Sequence, residues 1–465
     1  MPRTTSLMRA ARLRVELFEE RAQPSVAHAP TVNMNLVIHP SASGSPGDGM
    51  TPAEIRHAYG IDKLTDDGSG QTIAIVVAFD DPNIASDLAT FDAAFGLAAP
   101  PSFVKQKMAG ATTDSGWAGE TALDVEWAHA VAPKANILLV EARSDSTTDL
   151  LAAVDYARRQ AGVSVVSMSW GGNESSLLTA KDTYFTTPAG HVPVTFIAAA
   201  GDSGAGAEWP ASSPNVLAVG GTRLHVSSDG SYLGESAWSG SGGGFSRVYS
   251  VPTYQSNVVT GHRAVPDVAS VADPNTGVSV FNSVPDQYGE TGWMVVGGTS
   301  AGSPQWAGLI ALANQERTAH GLANIGRAQD TIYALPASDF HDITSGGNGY
   351  AARVGYDLVT GRGSPIANLL IPALASETPP TTTTTTPPGV GGTTGTGTTG
   401  TGTTTTSTGT GTTGTGTTKT PTTGTTGAPV WYIPIGFGWG FGSGLFGWNL
   451  GGWSVGRTST VWLML

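Results

Sequence analysis

Between about Thr51 and Pro372 short β-branched apolar runs alternate with stretches of helical spacing, and this alternation limits the chain to a mostly parallel sheet with helices on both faces. Thr72 to Phe79, Ala135 to Val140, Val163 to Met168, Val192 to Ala199 and Asn215 to Val219 are of strand length and bounded by turn residues, as buried strands are. Asn83 to Phe95 and Asp149 to Gln160 carry the intervening helical spacing. Each run ends in a loop rich in Gly, Asp or Ser, at the sheet edge where open α/β folds hold their ligands.

The pattern stops after Glu377. Thr, Gly and Pro take over, with Lys419 the only charge before Pro429 and nothing to build a core, so residues 377–429 are expected to be a disordered Thr/Gly-rich stalk. Residues 430–465 hold Trp431, Trp439, Trp448, Trp453 and Trp462 among repeated glycines, too glycine-dense for a membrane span. A loose Gly/aromatic tail is expected there, with attachment to the cell surface as the alternative. At the other end, Arg3, Arg9, Arg12 and Arg14 precede no apolar run of secretory length. Arg12 to Ser25 resembles the short Arg/Leu-Glu/Arg/Pro-Ser segment that opens many exported bacterial proteins. Residues 1–50 are read as an export or pro segment, residues 51–376 as the folded domain, and the protein as extracellular or cell-surface, acting as a monomer.

Composition removes several function classes. Lys+Arg 23 against Asp+Glu 36, a net charge of -13 over 465 residues, leaves no basic footprint for nucleic acid. With no Cys, thiol catalysis, cysteine-bound zinc, iron-sulfur clusters and disulfides are excluded together.

Three stretches carry candidate chemistry. Val295-Val-Gly-Gly-Thr-Ser300-Ala-Gly-Ser-Pro304 sets a serine where a strand meets a helix that continues through Trp306, Leu309 and Leu312. Helix N-terminal N–H groups favour negative charge developing beside such a hydroxyl. An ordinary N-cap serine would look the same. A serine nucleophile needs a base, yet no His upstream of Ser300 stands in a His-Gly context, and the one His-Gly pair, at His320, follows it. A subtilisin-type base is therefore unsupported, and carboxylates are the remaining choice. Glu120 and Asp124 lie four apart on a helix stopped by Pro133, on one face beside the stripe Leu123, Trp127, Val131. A wet acidic face is the plain alternative. Asp202, in Gly-Asp-Ser-Gly after an apolar strand, falls at the carboxyl edge of the sheet, where a simple turn would also fit.

Together, in this order, these stretches resemble the sedolisin family of serine-carboxyl peptidases over roughly Thr51 to Pro365. Thr51-Pro-Ala-Glu-Ile-Arg-His-Ala-Tyr-Gly60, Ser167-Met-Ser-Trp170-Gly171, Gly244-Phe-Ser and Arg263-Ala-Val-Pro266-Asp267 are similar to family segments as well. The resemblance implies a subtilisin-like fold in which Ser300 is nucleophile, Glu120 general base, Asp124 its orienting partner and Asp202 a proton-holding oxyanion donor. Protein or peptide substrates and an acidic optimum follow, because a Glu stays substantially ionised at a pH where His would be protonated. The resemblance also implies a calcium site, with the Asp342 and Asp357 side chains and the carbonyls of Ile343, Arg353 and Gly355 as ligands. The family often has Gly where Arg353 stands, and two Asp residues making turns is the alternative. Where many sedolisins carry a large prodomain, about fifty residues precede the matching region here, so an independently folding inhibitory propeptide is not expected. Val77 stands near the point where some relatives extend the carboxylate network, while Asp80 and Asp81 read as turn residues before Pro82. Trp170 fits either the cleft or the core. A non-catalytic exported surface protein built on the same fold is the competing function.

Overall fold

The computed structural model describes residues 31–376 apart from 36, 39–43 and 287–288. The segment up to residue 30, the stalk from 377 and the aromatic tail lie outside the described residues.

In chain order the elements that position the site begin with β1 (Asn33–Met34), β2 (Val37–Ile38) and helix α1 (Pro52–Ala58). Thr51 caps α1 reciprocally with Glu54, each side chain bonding the other's backbone N–H. There follow β3 (Thr72–Ala78), α2 (Ile84–Phe95), β4 (Phe103–Lys107), α3 (Ser115–Val131), β5 (Asn136–Ala142), α4 (Thr147–Ala157) and β6 (Val163–Met168). Next come β7 (Trp170–Asn173), β8 (Thr195–Ala199), β9 (Glu208–Trp209), β10 (Val216–Val226), β11 (Tyr232–Ala237), β12 (Gly244–Ser250), β13 (His262–Val265), β14 (Val268–Val271), β15 (Val278–Asn282) and β16 (Gly292–Gly297). Helix α5 (Gly302–Ala319) completes the set.

The central sheet runs β11-β10-β8-β6-β3-β5-β4, with β14 also on β10. All of its pairings are parallel except β10 with β11. Nearly every residue of β3, β5, β6 and β8 is buried. Because successive side chains point to opposite faces, burial this complete means both faces are covered. Helices α3 and α5 pack on each other and on β3, while α4 covers β3 and β5. The expected fold class is therefore the observed one: a subtilisin-like α/β fold built on a parallel sheet. The carboxyl ends of β3, β5, β6 and β8 lead into the loops that hold Asp80, Asp145, Ser169 and Asp202.

Helix α3 rules out the alternative of a wet acidic face. Asp114 caps it, accepting from the N–H groups of Gly116 and Trp117 at 3.0 and 3.1 Å, and from Trp117 to Val131 every residue is buried. Its acidic residues cannot be a solvated charge stripe. Trp170 takes the core alternative: it is fully buried, and its indole N–H donates to the Val76 carbonyl at 2.9 Å. Asp81 is a turn residue as expected, accepting from the Asn83 N–H, but Asp80 does more, pairing with Lys105 and Lys107 at 2.7 Å each.

Candidate active site

Glu120, Asp124 and Ser300 are fully buried and brought together by the packing of α3 beside the short 3-10 turn Thr299–Ala301 that leads into α5. Ser300 is not an N-cap: its hydroxyl donates to the Ser169 carbonyl at 3.4 Å, a long bond, rather than satisfying the helix end. The hydroxyl also lies near enough to Glu120 to favour that carboxylate's charged form, although neither Glu120 oxygen has a hydrogen bond of normal geometry. Long or unformed contacts of this kind are common in resting sites. Asp124 Oδ1 accepts from the Ser169 hydroxyl at 2.6 Å, while its Oδ2 is buried and unpartnered.

Asp202 reaches the same centre from the loop after β8. Its Oδ1 accepts from the Thr299 N–H at 2.7 Å and the Thr299 hydroxyl at 2.9 Å, leaving Oδ2 buried without a partner. An oxygen that already accepts two bonds is a poor place for a proton, so a proton on Asp202 belongs on Oδ2, free to be donated. Gly298, at φ +97, makes the turn possible, because a Cβ there would strike both Asp202 Oδ2 and the Asn35 carbonyl oxygen.

The electrostatics push these acids the same way. Burial raises Glu120 well above the ordinary carboxyl range, and the charges of Asp124 and Asp202 add to it. Burial likewise raises Asp124 against the Ser169 hydroxyl bond. Asp202 is pushed up to about 7 by burial, with Glu208 adding and the two Thr299 bonds opposing. No Lys, Arg or His pairs with any of the three among the described residues. Acids buried this closely share protons and titrate together. Burial therefore favours a proton on each of the three, which suits a carboxyl that donates beside the serine, and a bare carboxylate there is one that has passed its proton to a neighbour.

Reasoning from the sequence missed Ser169, Thr299 and Asn35. Ser169 and Thr299 stood inside recognisable stretches, so their positions were visible although their bonds were not. Asn35 had no signal at all. The segment 31–35 runs through the centre: Val32 N–H donates to the Asp145 carbonyl at 3.1 Å, and Asn33 and Met34 pair antiparallel with Gly171 and Trp170. The Ser300 N–H donates to the Asn35 carbonyl at 3.0 Å. On the far side Val37 and Ile38 pair with Gly297 and Val296.

Some distance along the chain, Asp342 accepts from the Gly355 N–H at 3.1 Å, and Asp357 accepts from the Arg353 N–H at 3.1 Å and from those of Val359 and Thr360 at 2.8 Å. Both carboxylates thus converge on the 353–355 backbone. Arg353 has no positive φ, so its Cβ is no obstacle to a carbonyl ligand at that position. Two carboxylates with carbonyls is the donor chemistry calcium takes, and no group of three or more His, Cys, Asp or Glu side chains among the described residues is arranged to hold a metal ion.

Fold and centre together define a subtilisin-like α/β protein whose serine is accompanied by carboxyl groups rather than histidine. The sequence pattern of the Subtilase family matches residues 83–330. Kumamolisin of Bacillus sp. (strain MN-32) is 37% identical over 369 residues, covering 70% of this chain and 63% of its own length. Tripeptidyl-peptidase 1 of Canis lupus familiaris is 30% identical over 405 residues, covering 74% of this chain and 68% of its own. Pseudomonas sedolisin, a serine-carboxyl proteinase solved in complex with two molecules of pseudo-iodotyrostatin, superposes with a TM-score of 0.62 at 30% identity, covering 72% of this chain and 99% of that one. The chain belongs to the sedolisin family of serine-carboxyl peptidases. It spans 63% of the length of kumamolisin. No helix among the described residues is long and apolar enough to cross a membrane.

Proposed function

We propose that this chain is an acid-active serine-carboxyl endopeptidase. The observation that carries the reading is the buried meeting of Ser300 with Glu120, Asp124 and Asp202 without any cation to fix their charges. Ionised Glu120 takes the Ser300 proton as the hydroxyl adds to a peptide carbonyl, and the resulting alkoxide is met by the Ser300 N–H and the proton on Asp202. Asp124, held by Ser169, orients Glu120 and shares its proton. Glu120 then returns the proton to the departing amine, and water hydrolyses the acyl-enzyme. Endo cleavage is favoured because backbone pairing is available on both sides of Ser300, to β7 and to β16. Peptides or proteins outside the cell are the proposed substrates, and residues 377–429 and 430–465 are proposed to be stalk and tail.

The test is peptide hydrolysis by the full chain from about pH 3 to 8, beside Ser300→Ala. An acidic optimum is expected, with rate falling toward neutrality as Asp202 ionises near 7, and no turnover in the variant. Equal rates in the two proteins would return the chain to a non-catalytic surface role.

Calcium is proposed at Asp342 and Asp357, with the carbonyls of Ile343, Arg353 and Gly355. Bound there, it would tie the 342–343 turn to the 353–357 turn by its charge. A ligand that binds only the folded state raises the melting midpoint, so chelation is expected to lower it and added calcium to restore it. An unmoved midpoint would leave two plain Asp turns.

A further inference from the structure

We propose that Ser231, His57 and Asp62 form a second hydrolytic site, separate from Ser300, that cleaves esters of short acyl chains.

The three side chains come from three elements. His57 lies in the last turn of α1, Asp62 in the 3-10 turn Ile61–Lys63 that follows it, and Ser231 in the tight turn before β11. Gly60, at φ +73, reverses the chain between the first two, and a Cβ there would strike the Asn368 side chain. The turn that carries Ser231 closes through the Gly230 N–H on the Ser227 carbonyl and the Ser227 N–H on the Ser231 carbonyl, each at 2.9 Å. A Cβ on Gly230 would lie in contact with the His57 ring and Glu54, so this turn is seated on α1.

Asp62 Oδ2 stands 2.6 Å from His57 Nδ1, and His57 Nε2 stands 3.3 Å from the Ser231 hydroxyl. A carboxylate that close to Nδ1 keeps a proton on that nitrogen, which leaves Nε2 as the acceptor and makes the Ser231 hydroxyl the donor. An imidazole activates an alcohol in this order. The 3.3 Å separation is long, as such contacts often are before a substrate binds. The Ser231 N–H donates to Asp229 Oδ1 at 3.1 Å, which fixes the backbone of the serine. Hydrogen bonds from the Ser227 hydroxyl, the Ser231 N–H and the Ser231 hydroxyl hold Asp229 at about 2, so it competes for the serine's proton but is too weak a base to take it.

His57 and Ser231 open on a cavity of about 250 Å³ whose wall also holds Lys63, Tyr232, His341 and Asn368. Lys63 brings the positive charge, and Asn368 the amide N–H, that a nascent alkoxide needs. Tyr232 and His341 stack with ring centroids 3.7 Å apart and planes 10° apart, a flat wall for a short acyl chain or a phenyl ring. A volume just below the usual range of ligand sites suits a small ester rather than a polypeptide chain.

The Ser231 oxygen adds to the ester carbonyl carbon as its proton passes to His57 Nε2. Collapse breaks the bond to the alcohol oxygen, and His57 gives that oxygen the proton. Water, deprotonated by the same nitrogen, then cleaves the acyl-serine, leaving a carboxylic acid and restoring Ser231.

Full-length Ser300→Ala is given p-nitrophenyl acetate at about pH 8, where an imidazole ordinarily has one ring nitrogen free of a proton, and acid-quenched samples are mapped by peptide mass. The Ser300→Ala background keeps the outcome apart from the peptidase reading. Steady release of nitrophenolate above the buffer rate is expected, with an acetyl group on Ser231 in the quenched samples. Adding Ser231→Ala or His57→Gln, each folded by circular dichroism, is expected to lower the rate roughly a hundredfold. Asp62→Asn, which keeps the imidazole but lets it take either tautomer, is expected to lower it as well. A rate no higher than buffer, a rate the variants share, an acetyl group on another residue instead of Ser231, or one that stays on the chain without turnover overturns the proposal.

Discussion

Ser169 serves the centre with two different atoms. Its hydroxyl donates to Asp124 at 2.6 Å, and its carbonyl accepts from the Ser300 hydroxyl and from the Asn35 N–H, each at 3.4 Å. The hydroxyl bond opposes the rise that burial imposes on Asp124, so removing it lets the Asp124–Glu120 pair keep its protons to higher pH. Ser169→Ala is expected to move the acid limb of the kcat/KM profile upward by roughly one to two pH units, the equivalent of a hydrogen bond to a charged group. A residue that merely filled space would lower the rate and leave the limb where it was. Ser300, Glu120, Asp124 and Asp202 were legible as residues because each sits in a stretch with a distinctive order of types. Ser169 and Thr299 were not, since a hydroxyl's partner is fixed by the fold and not by its neighbours in sequence. Asn35 was beyond reach for a stronger reason: its contact with Ser300 joins segments with almost the whole domain between them.

At the scale of elements, the spacing of α3 from α5 sets how Glu120 meets Ser300. The helices touch at Gly308, where a Cβ would stand 2.6 Å from the Val131 Cβ. Overpacking of this kind costs about 1–3 kcal/mol, more than valine's better helix propensity over glycine returns. Gly308→Val is expected to lower the melting midpoint by several degrees and to reduce turnover as well, because both helices carry the centre. Calorimetry beside a peptide assay checks it, and an unchanged midpoint would show that the helices part without cost. Strand and helix positions were largely visible in the sequence, yet two boundaries moved for physical reasons. The run from Val192 begins as a strand only at Thr195, beyond Pro193, which has no N–H to give a ladder. The run expected to end at Val219 continues to Val226, because Gly220 and Gly221, which read as a turn, are strand residues with Pro266 and Trp238 pressed where side chains would be. The plain alternative for α3, a wet acidic face, fails for a related reason: a periodicity argument counts every Glu and Asp as seeking water, and from Trp117 to Val131 this helix has no wet side.

Across the whole molecule, several further acids are buried away from the centre. Burial pushes Asp81 up to about 6 and Glu141 up to about 7, and raises Glu126 well above its ordinary range. Each keeps its proton to higher pH folded than unfolded, so the native state binds more protons than the unfolded chain above about pH 4. Their contribution is complete below the unfolded values and is lost as pH rises through about 6 and 7. Asp80 works the other way: burial raises it, but Lys105 and Lys107 outweigh that and hold it at about 2, so its contribution fades only in strong acid. The melting midpoint of Ser300→Ala, the variant proposed to be inactive, is therefore expected to be highest near about pH 4 and to fall steadily toward neutrality. A midpoint that rose between those limits would contradict the assignment. The four groups proposed to react come from a helix, a loop after a strand and a turn, spread over about half of the folded length. On the proposed reading, the capacity to cut exists only while α3, the loop after β8 and the turn before α5 are held together, and it departs when any one of them moves.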